Sequence, residues 1–308
     1  MRWGLGAGSA PAAAVGRGAV AAAPVAPSRA PARAIVTTSS TPSPLITANA
    51  DTTARVKCEV VREGYTAEQA ASFGSVAAEY ERVRPEYPAA AVGWIVPPGA
   101  RAAVDVGAGT GKLTRALAGR GLEVTAVEPS DEMRARLEAE LPTVTALAGS
   151  GERLPLADGS ADLVTYAQAW HWVDEAAALA EAARVLRPGG RLACVWNLRD
   201  DGTAWMRELS RLIDRLGANP TVEDDYSFGA PFGPTERLAV PWRRPIDGEL
   251  LIELLASRSY VIVATEAQRQ ELFASVRELV ATHPELAGRE SFEMPYMTRC
   301  FRAELPPG

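Results

Sequence analysis

Histidine and cysteine are nearly missing from this chain, whose 308 residues hold two histidines (His171, His283) and three cysteines (Cys58, Cys194, Cys300). Zinc sites draw on several such ligands clustered in sequence, so no metal centre of that kind is expected, and three distant thiols make no disulfide framework. Lysine is as scarce as histidine, with Lys57 and Lys112 alone against many arginines, a bias read as coding composition. No run approaches the ~20 unbroken apolar residues that a membrane-spanning helix needs. Basic charge does not predominate either. The 32 Lys and Arg against 38 Asp and Glu leave a net charge of -6, which argues against wholesale nucleic-acid binding. What is plentiful is apolar side chain, at 47%, enough for the core of one large domain or of one with a smaller companion. The expectation is a soluble, cytoplasmic protein with no membrane or nucleic-acid partner and an oligomeric state left open.

Residues 1–50 carry Arg2, Arg17, Arg29 and Arg33 but no acid, hence +4 of formal charge, leaving -10 for the remainder. Ala, Pro, Ser and Thr crowd this segment, and Pro24, Pro27 and Pro31 interrupt any helix. Such a composition buries too little apolar surface to offset its conformational entropy. Residues 1–55 are therefore set apart as a disordered tail. An organelle-targeting segment and a mis-assigned start remain open beside that reading. Residues 56–308 form the domain.

Within the domain, apolar runs at Ala102–Val106, Val124–Val127, Val144–Leu147, Leu163–Tyr166 and Arg191–Trp196 read as buried strands. Between them lie segments of helical spacing: Leu113, Ala116, Leu117; then Met133, Leu137, Leu141; then Leu179, Ala182, Ala183, Leu186. Asp174 is placed to cap the third of these helices. Strand and helix in alternation give an α/β fold, a doubly wound, mostly parallel sheet covered on both faces. Its ligand site is expected beyond the carboxyl ends of the strands, near residues 107, 128, 149, 168 and 197.

The first of those loops is Gly107-Ala108-Gly109-Thr110-Gly111-Lys112. A phosphate-binding P-loop would need Gly at Val106 and Ser or Thr at Leu113, and a dinucleotide fingerprint would need Gly at Lys112. Both patterns break. Glu128 ends the second strand, where a carboxylate accepts hydrogen bonds from both ribose hydroxyls of an adenosine-type ligand. Loop and acid together indicate an adenosine cofactor without choosing which.

The run VDVGAGTGKLT, followed by VEPSDEM, GSGERLPLADGSADLVTYAQAWHWVD and ARVLRPGGRLACVWN, resembles the class I S-adenosylmethionine-dependent methyltransferases. More narrowly it is similar to their small-molecule branch (methyltransferase type 11), which includes trans-aconitate methyltransferases. The likeness takes in Phe73-Gly74, Tyr80, Arg84-Pro85 and Tyr87-Pro88 upstream, and Ser257-Arg258-Ser259-Tyr260 and Pro295-Tyr296 downstream. It implies a Rossmann-like seven-stranded sheet with an antiparallel last strand, for which Phe292–Arg302 shows partial alternation.

The resemblance also implies site residues. Asp105, Gly107, Ala108, Gly109 and Gly111 would border the methionine part of S-adenosylmethionine, Glu128 its ribose, and Gly151 and Glu152 its adenine. Gly151 stands where the family commonly has Ala. Gln168 would line the floor between cofactor and acceptor, and Tyr80, Arg84 and Tyr87 would belong to an amino-terminal lid. A sulfonium methyl is already activated, so alignment and desolvation carry most of the chemistry. A carboxylate acceptor, ionised above a pKa of ~4, needs no base. A hydroxyl acceptor does, and His171 with Gln168 are the catalytic candidates. Tyr87, Trp170, His171, Trp172, Arg199 and Arg258 are the candidate acceptor contacts, the two arginines as clamps for an acidic group. The 201–270 span reads as a substrate-cap insertion, with 224–234 a long loop of the kind that covers active sites. A non-catalytic adenosine-binding module and a nicotinamide-dependent oxidoreductase stay open as other readings.

Overall fold

The computed structural model describes residues 35–36, 81–216 and 225–307, all within the unit Ala34–Gly308. The five runs read as strands appear as β2 (Ala102–Val106), β3 (Glu123–Val127), β4 (Thr145–Leu147), β5 (Ala161–Ala167) and β6 (Leu186–Arg199). With β1 (Ile35–Val36), β7 (Glu236–Ile246) and β8 (Phe292–Glu304) they form one sheet in the order β1-β7-β8-β6-β5-β2-β3-β4. Strands β2 to β6 pair in parallel, and β8 runs antiparallel between β6 and β7. This is the seven-stranded, mostly parallel Rossmann-like sheet, with the two-residue β1 added at its edge. Ile35 and Val36 come from the segment assigned to the tail, whose other residues lie outside those described.

Successive strand residues face opposite sides of a sheet, so a continuous apolar run feeds two cores. Leu163 and Val195 pack under α1 (Ala89–Ile95) and α2 (Lys112–Ala118), against Ile95, Leu113 and Leu117. Their neighbours Val164 and Cys194 face the other way, under Ala178, Ala182 and Val185 of α4 (Glu175–Val185). Asp174 caps α4 as its position predicts, accepting from the Ala177 N–H at 3.0 Å, and Ser130 caps α3 (Asp131–Glu140). Among the described residues no helix is long and apolar enough to cross a membrane.

The 201–270 span needs two corrections. It holds α5 (Ala204–Asp214), α6 (Gly248–Ala256) and α7 (Ser259–Ile262), which with α8 (Glu266–Thr282) enclose a separate core around Trp205, Leu209, Leu254 and Val276. Between α5 and α6, however, lies β7, a strand of the central sheet rather than part of an insertion. Pro241 and Pro245 disguise it in the sequence. Proline is excluded where both sides of a strand are paired but tolerated where one side is open, and β1 pairs with β7 only at Leu238 and Ala239. The loop through residues 225–233 does not cover the cavity either. Tyr226 and Phe228 meet each other, Trp170 and Phe301 in edge-on ring contacts of 5.2 to 5.7 Å, and with the buried Phe232 they close the core under α4.

Gly111 starts α2 in the left-handed region (φ 91°), and a Cβ there would lie 3.0 Å from Leu137 Cγ and 2.9 Å from Leu141 Cδ1. The turn after β2 and the seating of α3 therefore both require glycine. Gly111→Ala is expected to destabilise the fold by roughly 1–3 kcal/mol through backbone strain and overpacking, read as a lower midpoint in urea denaturation.

Candidate active site

The carboxyl ends of β2, β3, β5 and β6 open into a cavity of about 960 Å³. Registration puts them there: Val106 pairs with both Val127 and Tyr166, and Ala167 with Val195, so the strands finish side by side. The loops after them form the wall, as expected for a parallel sheet.

Beneath the glycine loop, Asp105 is buried (1% exposed) and accepts hydrogen bonds from Thr114 Oγ1 at 2.7 Å and Thr165 Oγ1 at 3.0 Å. Burial outweighs these bonds and pushes its carboxyl up to about 6. Asp105 supports the loop from below rather than lining the cavity, and Gly111 likewise faces α3. Gly107, Ala108 and Gly109 do line it. Glu128, 7% exposed, accepts from the Gly109 N–H at 2.8 Å and the Ser130 N–H at 2.9 Å, one on each oxygen. Burial raises its pKa, and the two backbone donors partly offset the rise. Each carboxylate oxygen keeps a lone pair for a further donor.

Gly151 and Glu152 stand on the same wall. A Cβ at 151 would lie 2.6 Å from Val173 Cγ1 and 3.0 Å from the Tyr166 ring, which accounts for glycine at this turn. Glu152 accepts from the Asp174 N–H at 2.8 Å and so braces the start of α4.

After β5 the chain turns sharply. Gln168 adopts φ 57°, a conformation unusual outside glycine and often found at functional sites. Its Nε2 donates to the Asn197 carbonyl at 2.9 Å. The turn carries His171 and Trp172 onto the cavity wall but sends Trp170 into the core, edge-on to Tyr166 at 4.7 Å. Trp170 is thus separated from the other candidate acceptor contacts by the direction of its side chain. Burial first, and the Arg84 charge second, hold the His171 pKa down to about 4, so its imidazole is neutral at pH 7.

Arginines gather under the β6 and β8 side of the cavity. Arg84, Arg199, Arg258 and Arg299 line it, and Arg199 approaches the Tyr260 hydroxyl at 3.4 Å. Arg84, expected in a lid over the cofactor, donates to Ser257 Oγ at 3.0 Å and to the Ser257 carbonyl at 2.6 Å, which ties it to this group. The Arg199 Nε–H is buried with no acceptor among the described residues. Three strand spacings, roughly 14 Å, separate β3, which Glu128 directly follows, from β6, which ends in Arg199. The cavity is therefore acidic at one end, with Glu128, Asp131, Glu132 and Glu152, and largely basic at the other.

Of the sequence candidates, Arg84, Tyr87, Gly107, Ala108, Gly109, Glu128, Gly151, Glu152, Gln168, His171, Trp172, Arg199 and Arg258 meet at this cavity. Asp105, Gly111 and Trp170 stand behind its wall, and Tyr80 lies outside the described residues. Sequence reasoning passed over Lys112, Asn197, Tyr260 and Arg299 as wall residues. Asn197 and Tyr260 sit in the segments that carried the resemblance. Arg299 had no signal, because only the pairing of β8 with β6 brings it in.

The donor set fits an adenosyl sulfonium ligand. A carboxylate with free lone pairs stands beside a loop whose Gly109 would meet nothing within 4 Å of an added Cβ, leaving open space for a ligand. A family profile described as a methyltransferase domain matches residues 104–194. An uncharacterised methyltransferase of Mycobacterium tuberculosis is 49% identical over 234 residues, covering 76% of this chain and 96% of its own. An uncharacterised methyltransferase-like protein of Schizosaccharomyces pombe is 32% identical over 246 residues, covering 77% and 96%. A solved structure from Anaeromyxobacter dehalogenans, described as a type II methyltransferase, shares the fold at a TM-score of 0.53 and 24% identity, covering 73% of this chain and 99% of that one. With the sheet order and the glycine loop, these similarities establish that the chain belongs to the class I S-adenosylmethionine-dependent methyltransferases.

Proposed function

We propose that this protein binds S-adenosylmethionine and directs its methyl group to an oxygen of a small anionic acceptor. The observation that carries the reading is the opposed charge of the cavity, Glu128 at one end and Arg84, Arg199, Arg258 and Arg299 at the other. When bound, S-adenosylmethionine supplies a methyl group on a positively charged sulfur that leaves as a neutral thioether. Glu128 would hold the ribose hydroxyls, the Gly107–Gly109 loop the methionine part, and Gly151 with Glu152 the adenine. The arginines would hold an acidic acceptor by charge-assisted hydrogen bonds, the buried Arg199 Nε–H among the donors. Gln168, Trp172 and Tyr87 would close the space between the two ends to water.

His171 helps to decide between acceptor atoms. An efficient general base has a pKa near the operating pH. With its pKa held down to about 4, His171 is neutral and can accept a hydrogen bond, but it takes a hydroxyl proton poorly. A carboxylate oxygen, ionised at pH 7, brings no proton to remove. The carboxylate is therefore the favoured acceptor, with a hydroxyl second, and His171 orients rather than deprotonates.

Calorimetric titration with S-adenosylmethionine, S-adenosylhomocysteine and NAD tests the cofactor. The first two should bind saturably and NAD not at all, and binding of NAD alone would overturn the reading. Glu128→Ala and Gly109→Val should each weaken S-adenosylhomocysteine binding by at least about tenfold, as loss of a hydrogen bond to a charged group or blockage of the loop predicts. His171→Ala should stay within about threefold of wild type. Formation of S-adenosylhomocysteine across a panel of di- and tricarboxylic acids and their neutral amides tests the acceptor. Turnover confined to the amides contradicts the anionic reading.

The depressed pKa of His171 also makes stability depend on pH. Below its unfolded value of ~6.5 the unfolded chain takes up a proton that the native imidazole refuses until about pH 4. Stability of wild type relative to His171→Gln should therefore fall as pH drops from 6.5 towards 4. Urea melts of both proteins at pH 7.5 and pH 5 measure it, and a constant difference would refute the assignment.

A further inference from the structure

We infer that Asn197 is a positioning residue that holds the 81–87 segment against the cavity, through a hydrogen-bond relay anchored on β7, two strands away in the sheet. Asn197 ends the buried part of β6, lines the cavity and is 4% exposed. Its side-chain oxygen accepts from Thr298 Oγ1 of β8 at 2.6 Å, and Thr298, fully buried, accepts in turn from the Trp242 indole N–H of β7 at 2.8 Å. At the other end, Asn197 Nδ2 donates to the Glu86 carbonyl at 3.1 Å. The side chain of Glu86 reaches Lys112 Nζ at 2.9 Å, at the start of α2.

Chemistry dictates the direction of this relay. A backbone carbonyl only accepts, so the Asn197 NH₂ must point at Glu86 and its oxygen at Thr298. That oxygen in turn takes the single Thr298 proton, while the indole nitrogen, which only donates, gives its own to Thr298. The Glu86 end thus leaves the amide one allowed setting. The Asn197 carbonyl also receives Gln168 Nε2 at 2.9 Å, so one residue meets the turn after β5 as well as the segment across the cavity.

The 81–87 segment supplies part of the wall from outside the sheet. Arg84, Pro85 and Tyr87 line the cavity from it. Glu81 and Glu86 fasten it to Lys112 and Arg115 on the glycine-loop side, and Arg84 fastens it to Ser257 on the arginine side. Those fastenings use long side chains, several of them partly exposed, and exposed ion pairs hold geometry weakly. Asn197 reaches the Glu86 backbone on a short, buried side chain from a rigid strand, so it sets where the segment stands.

Amide hydrogen exchange on the full chain, without ligand, tests this in Asn197→Asp, Thr298→Val and Thr298→Ser. Asn197→Asp replaces the donor by an oxygen facing the Glu86 carbonyl. Thr298→Val keeps the shape but removes the hydroxyl that orients the amide, and Thr298→Ser restores it. Exchange in peptides covering 81–95 should accelerate by about tenfold in the first two, as loss of one buried hydrogen bond predicts, with peptides of β2 to β5 unchanged. Thr298→Ser should match wild type within about twofold. Unchanged exchange over 81–95 in Thr298→Val, or equal acceleration in Thr298→Ser, would overturn the inference. If Asn197→Asp fails to fold, the Thr298 pair decides alone. The inference places the segment beside the site proposed above, but its test reads the ligand-free protein. A failed cofactor assignment would show instead as wild type that does not bind S-adenosylhomocysteine.

Discussion

One carboxylate links the elements on which the cavity depends. Asp105 lies in β2, and its two hydroxyl donors come from Thr114 of α2 and Thr165 of β5. Strand, following helix and neighbouring strand are thus tied together below the glycine loop, so the loop cannot drift from the turn that carries Gln168 and His171. Burial makes the link costly, since the Asp105 carboxyl is pushed up to about 6 and its charge at neutral pH is retained against desolvation. A buried carboxylate persists in such a place when its donors are fixed by secondary structure, as both are here.

Above that link, charge is sorted by strand. β3 and β4 lead to acidic residues, whereas β6, β8 and the helices after β7 bring arginines. The antiparallel β8 makes this sorting possible. Running back beside β6, it pairs Arg199 with Tyr296 and Trp196 with Arg299, so residues about a hundred positions apart share one end of the cavity. The Tyr296 ring, stacked on Trp242 at 4.9 Å, sits among Arg84, Arg199, Arg244 and Arg258, whose charges partly offset the rise that burial imposes on its phenol pKa. Under the function proposed above, the ribose and adenine of the cofactor would rest at the acidic end and an anionic acceptor near the guanidiniums, leaving the methyl group between them.

Much of the fold was legible because it is written in short-range pattern. Five buried strands show as apolar runs, α4 shows its cap at Asp174, and the glycine loop shows its position between strand and helix. Glu128 was legible for the same reason, since the end of β3 is read from its own run. β7 was hidden because its prolines are admissible only where one side of a strand is unpaired, and no local feature says which strand has such a side. The loop holding Tyr226, Phe228 and Phe232 was misread because aromatic residues among Gly and Pro look alike whether they cover a cavity or close a core.

Alone, the sequence determined the parallel α/β layering, the glycine loop after β2 and the acid at the end of β3, since each depends on residues within a turn or a strand of one another. Tertiary structure alone decided that Trp170 turns inward while Trp172 faces the cavity, that Arg84 joins Ser257, and that Asn197 meets Glu86. Those contacts join residues 111 and 173 positions apart, and they arise from strand order and from the path of 81–87 across the sheet. Pairing at such distances leaves no periodicity in the chain, because hydrogen bonds and charges act through space and only the fold sets which groups are near.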